Sequence, residues 1–254
     1  MRFQSFAARV AFGAFLLALV ICLAAAFGTR LGLWDAALGI RILAPGVVIG
    51  IVGALFGAIW VGSSLARNSS VGARSGVLGL LGSAAVIAIP LHQLFLFYTS
   101  PPIHDISTDI EFAPPFKALL PLRAGATNGP GYDGPNRVFY EGKRTTVSAL
   151  QKKYDIGVIP YVAFGKPAKI FWRAKNLADD MGWNVVAFDP KEGRIEATDT
   201  TFWFGFTDDI VIRVKPAGKL GARLDIRSKS RTGVSDMGRN AERIRDYIKR
   251  LKTM

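Results

Sequence analysis

VLGLLGSAAVIAIPLHQLFLFYT (Val77–Thr99) runs 23 residues without Asp, Glu, Lys or Arg, and Ser100-Pro101-Pro102 ends it. A helix needs about 20 apolar residues to cross the hydrocarbon of a bilayer. A charge at mid-span would cost about 2.5–3.5 kcal/mol on insertion scales. Two similar runs lie upstream, Val10–Phe27 and Ala44–Ala66, and neither holds one of the four charged residue types. Three such runs in a row, separated by short loops, argue against buried core helices. The first 99 residues contain one acidic side chain, Asp35, and no lysine, whereas the 155 that follow carry 26 Lys+Arg and 18 Asp+Glu. The expected fold is three transmembrane α-helices followed by an α+β two-layer domain (helix, four-stranded antiparallel meander, helix). The divisions are a membrane domain over 1–99, a Pro/Gly-rich connector over 100–135 and an α+β domain over 136–254.

Basic residues near span ends set orientation. Arg2 and Arg9 precede the first span, and Arg67 and Arg74 separate the second from the third. Arg30, Arg41 and Asp35 occupy the other loop. This places the N-terminus in the cytoplasm and the domain after Ser100 outside, which in a bacterium means an inner-membrane protein with a periplasmic domain. The first span can also be read as a signal peptide, with Arg2 and Arg9 in its basic region and Ala24-Ala25-Ala26 as a cleavage site. Its apolar core is long for that role. Cys22, the single cysteine, lies in this span, follows Ile21 rather than a small residue, and allows no internal disulfide.

Gly46, Gly50, Gly53 and Gly57 recur at four, three and four, one stripe of a helix, and Gly76, Gly79 and Gly82 form a shorter one. Small residues let membrane helices approach closely. The span-two stripe serves either packing among the three spans or homo-oligomerisation. His92 and Gln93 lie about seven residues from the outer end of span three, roughly 10 Å at 1.5 Å per residue. Both can reach interfacial polar groups, and three spans without a carboxylate make a poor transporter.

Prolines and glycines deny helix over any length in 100–135, and the stretch reads as an ordered or semi-ordered connector wrapped along the domain. His104, Asp105 and Asp109 fall here, but their spacing in an extended segment does not converge them, and the domain has no second histidine. No metal or cofactor is expected.

Regular structure follows. Pro167 suits the first turn of a helix and Gly182 the position after its end. Ile170, Ala174, Leu177 and Met181 give that helix one apolar face. Strand-like runs follow at Trp183–Phe188, Arg194–Phe204, Asp209–Lys215 and Ala222–Arg231, separated by tight turn signals. A closing helix starts near Ser235 or Asp236, with Met237, Ala241, Ile244, Ile248 and Leu251 on one face.

Alternation in the last strands is specific. Even positions read Ile210, Ile212, Val214, Ala222, Leu224, Ile226, Ser228 and Ser230; odd positions include Arg213, Lys215, Arg223, Arg227, Lys229 and Arg231. A period of two sends these sets to opposite faces. The helices should cover the even set, and the odd set should form a ladder of cations. Residues 213–254 hold 13 basic and 4 acidic side chains, whereas 100–212 hold 13 and 14. The basic excess is either an ordinary solvated face or a surface for an anionic partner.

Phe202-Trp203-Phe204-Gly205-Phe206-Thr207-Asp208-Asp209, followed by Asp225-Ile226-Arg227-Ser228-Lys229-Ser230-Arg231-Thr232-Gly233-Val234-Ser235-Asp236-Met237-Gly238-Arg239-Asn240, resembles the domain of unknown function DUF1499. That family reads approximately as Phe-x-Asp-Asp, a strand, then Arg-Ser-x-Ser-Arg-x-Gly-x-Ser-Asp-x-Gly-x-Asn and a closing helix. The resemblance covers roughly 105–252. Many members open with an Asn-Cys-x-Ser-Ser-like segment, where this chain has Ile103-His104-Asp105-Ile106-Ser107-Thr108-Asp109, so no role for that cysteine carries over. The resemblance implies an envelope or plastid-type protein, often membrane-attached, and no established activity, cofactor or catalytic residue.

Physically, Asp208, Asp209, Arg213, Arg227, Arg231, Asp236 and Asn240 form a candidate ligand or ion-pair cluster, with Phe202, Trp203 and Phe204 as a candidate aromatic contact. Three readings stand: a latch fixing the final helix, a polar ligand site, and acid–base catalysis by Asp208, Asp209 or Asp236. Arginines lower the pKa of carboxylates beside them, which disfavours the last. No nucleophile elbow, phosphate loop or zinc-spaced cluster is present. The leading expectation is a non-catalytic binding domain for an anionic envelope lipid, polymer or protein. The rivals are an extracytoplasmic enzyme and an accessory subunit of a membrane complex. Membrane lipids are expected partners and nucleic acid is not.

Overall fold

The structure, a computed structural model, describes residues 2–154, 157–219 and 221–254. The chain forms two compact units, Met1–Tyr98 with Phe202–Gly205, and Thr99–Thr201 with Phe206–Met254.

The first unit contains α1 (Arg2–Arg30), α2 (Ala36–Arg67) and α3 (Ala73–Thr99), all long and apolar enough to cross a membrane. Each begins before the corresponding apolar run, and at α2 a cap rather than hydropathy marks the start. Asp35 accepts the Leu38 N–H at 2.7 Å and caps α2. Gly46 lies against Ile21 and Cys22 of α1, Gly50 against Ile87 of α3, Gly53 against Ser83 of α3 and Ala14 of α1, and Gly57 against Leu80 of α3. The stripe is therefore taken up by packing within the chain, and a homo-oligomer contact through Gly46, Gly50, Gly53 and Gly57 would have to displace α1 and α3.

The second unit runs β1 (Asp105–Ser107), β2 (Arg137–Tyr140), β3 (Lys143–Thr146), α4 (Val147–Tyr154), β4 (Tyr161–Phe164), α5 (Pro167–Asp180), β5 (Asn184–Asp189), β6 (Arg194–Thr200), β7 (Thr207–Ala217), β8 (Gly221–Ser230) and α6 (Arg239–Thr253). The expected helix, four-stranded meander and helix are α5, β5 to β8, and α6. Strands β1 and β4 extend the sheet, both antiparallel to β8: β1 meets Arg227–Lys229 and β4 meets Gly221–Leu224. Strands β2 and β3 form a separate hairpin.

Helices α5 and α6 lie over the even face, as the alternation requires. Ile170, Ala174 and Leu177 join Ile244, Tyr247 and Leu251 over Ile195, Ile210, Ile212, Leu224 and Ile226 in one buried core. The indole of Trp183 stacks on Tyr247 at 5.0 Å, and the Tyr247 hydroxyl donates to the Ala174 carbonyl at 2.5 Å. Helix α6 begins at Arg239, later than Ser235 or Asp236, because Gly233, Met237 and Gly238 have φ of 91°, 55° and 83°. These left-handed residues form a turn that helix cannot continue through. Asp236 still caps from within that turn, accepting the N–H groups of Gly238 and Asn240 at 2.9 and 3.1 Å.

The odd face is not open along its length. Residues of the connector fold back over it, and Phe116 and Leu119 pack on Val211 of β7. The carboxylate of Glu196, on β6, accepts the backbone N–H groups of Lys117, Ala118 and Leu119 at 2.9–3.1 Å. The domain thus has a third layer of irregular chain: the connector wraps along the domain as its composition suggested, and it does so over the odd face, which was expected to be open.

Candidate functional site

Arg227 is the centre of the covered face. It is 1% exposed. Its Nε and Nη2 donate to Asp105 Oδ1 and Oδ2 at 2.8 and 2.9 Å, and Nη2 also reaches the carbonyls of Pro130 and Gly131 at 3.1 and 2.7 Å. The guanidinium lies 4.5 Å from the Phe116 ring centre and 5.4 Å from that of Tyr132. Lys229, also buried, donates to Gly131 O at 2.7 Å and to Asp133 Oδ2 at 2.6 Å. Asp209 is held by Arg231 at 2.7 Å and by Arg123 from the connector. The expected cation ladder exists, but over these rows it is a buried, neutralised seam rather than a basic surface, because the connector supplies Asp105 and Asp133. A cation buried in this way needs such partners, since taking it from water costs several kcal/mol.

Asp208 points the other way. Its carboxylate accepts from Arg243 of α6 at 2.7 Å, and Arg243 also reaches Asp199 at 2.7 Å. Asn240 accepts from Ser228 Oγ at 2.7 Å and donates to Ser230 Oγ and the His104 carbonyl, both at 3.1 Å. The candidate cluster therefore divides by strand parity. Asp208 and Asn240 lie on the α6 side with Asp236, and Asp209, Arg213, Arg227 and Arg231 lie under the connector. The Arg-Ser-Lys-Ser-Arg run, residues 227–231, grips the connector with its odd members, while Ser228 and Ser230 bond to Asn240 of α6. Asp105, Arg123, Asp133, Glu196, Asp199, Lys229 and Arg243 complete the network, and the sequence reading did not place them in it. The opposed directions of Asp208 and Asp209 were readable from their adjacency in a strand.

The titration environments fit a latch. Burial would raise the Asp133 pKa, but hydrogen bonds from His104 and Lys229 outweigh it and bring the value down to about 2. Burial likewise opposes charge on Asp109, which the N–H groups of Phe112 and Glu111 and the cations of Arg223 and Arg213 more than offset, so its pKa is lowered. Burial raises the Asp236 pKa against the N–H groups of Gly238 and Asn240. Asp236 also lines a cleft of about 250 Å³ with Thr99, Ser100, Pro101, Ile103, Tyr154, Gly238 and Arg245. Asp209 faces the opposite side of the sheet, so the three aspartates do not meet around one cavity.

His104, Asp105 and Asp109 diverge as the spacing implied. His104 Nε2 sits 3.2 Å from Asp133, Asp105 holds Arg227, and Asp109 holds Arg213 and Arg223 at 3.0 and 2.9 Å. Among the described residues no group of three or more His, Cys, Asp or Glu side chains is placed to hold a metal ion. The Phe202 and Trp203 rings pack edge-on at 5.2 Å, and the stretch Phe202–Gly205 belongs to the unit of apolar helices.

Toward the β4 end the cover stops. A cleft of about 200 Å³ opens there, lined by Pro114, Pro115 and Lys117 of the connector, Glu192, Arg194, and Val211, Arg213 and Lys215 of β7. Four of these side chains are cationic and one is acidic. Lys117 and Arg194 pair with Glu192, and Arg213 with Asp109 and Asp225. Lys215 is exposed and makes no ion pair among the described residues.

The architecture is that of a membrane-associated protein carrying an α+β domain closed by a buried ionic seam. Residues 134–251 match the family described as "Protein of unknown function (DUF1499)", so this stretch of the chain is similar to the DUF1499 domain. The match begins after Asp133, so most of the connector lies outside it, unlike the wider span the resemblance suggested. No curated protein matches the chain.

Proposed function

We propose that this protein is an inner-membrane-anchored binding module, with its α+β domain on the periplasmic side, that takes an anionic envelope component at the open end of the odd sheet face. The observation that carries the reading is the cleft where Lys117, Arg194, Arg213 and Lys215 face a single lining acid, Glu192. Lys215 has its charge to offer, beside Arg213, whose guanidinium Asp109 and Asp225 hold in place. The buried seam gives this surface a rigid floor. Its role is structural, which removes Arg227 and Arg231 from direct ligand contact.

A thermal unfolding series on the full chain in neutral detergent tests this. Inorganic phosphate should raise the midpoint more than chloride at equal ionic strength, and Lys215→Glu should remove the difference. Equal responses to the two anions in the unsubstituted protein would refute the reading.

A further inference from the structure

The register of the sheet puts apolar residues beside these cations. Val162 of β4 lies opposite Arg223 of β8, and Arg223 lies opposite Lys215 of β7. Directly opposed residues share a face, so Val162, Arg223 and Lys215 form one row on the odd face. The next row toward the sheet end holds Phe164, opposite Gly221, which has no side chain to cover it. Val162 is 61% exposed and Phe164 94%. Ala163, between them, points into the core. The connector adds a third apolar group. Phe112, 74% exposed, donates its N–H to Asp109 Oδ1 at 2.9 Å, and Asp109 Oδ2 accepts from both Arg213 and Arg223. The acids at this edge are Asp109 and Asp225, which hold Arg213 and Arg223, and the exposed Glu111. Three large apolar side chains thus flank Arg213, Arg223 and Lys215 on one side of one sheet.

We propose that this end of the face binds an anionic lipid, with Lys215, Arg213 and Arg223 meeting the headgroup phosphate and Phe112, Val162 and Phe164 meeting the acyl chains. The assignment rests on the anion-binding reading above and adds the apolar half of the ligand. Two features select this occupant. Lys215, exposed and without an ion pair among the described residues, shares its row with the exposed Val162, which matches an amphiphile with a negative head. The chain also carries three helices able to cross a membrane, so lipid is present at high local concentration. A neutral apolar partner would leave Lys215 without a counter-charge, and a free anion would make no use of Phe164.

Hydrogen–deuterium exchange on the full chain in neutral detergent micelles separates the cases. Phosphatidylglycerol should protect peptides covering 110–117, 159–166 and 213–219, while phosphatidylcholine should not. Glycerol phosphate should protect only the 213–219 peptide, at concentrations at least tenfold higher. Phe164→Ser should weaken the lipid effect at least fivefold yet leave the glycerol phosphate effect unchanged. Lys215→Glu should weaken both. Both residues are exposed, and an unchanged unfolding midpoint checks that each variant is folded. Equal protection by glycerol phosphate and phosphatidylglycerol overturns the lipid assignment while the anion reading stands. Equal protection by phosphatidylcholine overturns the headgroup assignment. No protection by either anionic compound sinks both readings. Protection only by an acidic peptide paired along the outer edge of β4 would replace the lipid with a protein partner.

Discussion

At the scale of single residues, the domain is organised around carboxylates that answer cations about a hundred positions away. Asp105 and Arg227 are 122 residues apart in sequence, and both are buried. Removing one member of such a pair leaves an uncompensated buried charge, a loss of about 3–5 kcal/mol. Asp133 makes the seam sensitive to acid. Its pKa in the folded protein is about 2, below the ordinary 3.8, so its contribution is complete above about pH 4. It is lost as pH falls from about 4 through 2, where the folded state gives up its bonds to Lys229 and His104. Asp133→Asn should lower stability at pH 7 and flatten the loss between about pH 4 and pH 2. Urea midpoints measured across that window check the prediction, and an unchanged acid limb would show that Asp133 does not contribute to it.

At the scale of elements, the parts with a period were legible in the sequence. Three apolar runs gave three helices, the apolar faces from Ile170 and Ala241 onward gave α5 and α6, and the alternation in 210–230 gave both the meander and the helix-covered face. The connector was legible as a non-helical segment wrapped along the domain, but not as the cover of the odd face. It holds its place through backbone N–H groups on Glu196 and carbonyls on Arg227, and such contacts leave no periodic trace in either partner. The same limit applied to the candidate site. Arg213, Arg227 and Arg231 were found, but their positions in an exposed ladder required knowing what lay above them. Membrane glycines show the opposite case, where spacing indicated a close approach and geometry named the neighbour. A Cβ on Gly57 would stand 2.6 Å from Leu80 Cβ and 2.8 Å from its Cα, whereas one on Gly62 would meet nothing within 4 Å. Gly57→Leu should therefore cost the bundle about 1–3 kcal/mol by overpacking, and Gly62→Leu should cost much less. Titration of both variants with a denaturing detergent, followed by tryptophan fluorescence, provides the comparison, and equal losses would contradict the packing described.

At the scale of the whole molecule, the distribution of arginines predicts how the chain lies in its membrane. Arg2, Arg9, Arg67 and Arg74 belong to one side under the positive-inside rule and outweigh Arg30 and Arg41 on the other. The proposed binding role depends on that orientation. Cys22 is the only cysteine, so Cys22→Ala provides a thiol-free background. Lys143→Cys, on the exposed strand β3, should then react with a membrane-impermeant maleimide in intact spheroplasts. Labelling only after lysis would place the domain in the cytoplasm and remove the envelope component as its ligand.

The connector also bears on the order in which the protein can assemble. Asp105 leaves the ribosome 122 residues ahead of Arg227, and Glu196 and Arg227 are both made after the segment they hold. Contacts so distant along the chain carry a large loop-closure cost and slow folding. The stretch from Ser100 to Pro135 must therefore wait as unpaired, carboxylate-bearing chain until β8 is synthesised. During that interval it is open to proteases and holdase chaperones, and the closing of β8 beneath it is the step that ends its exposure.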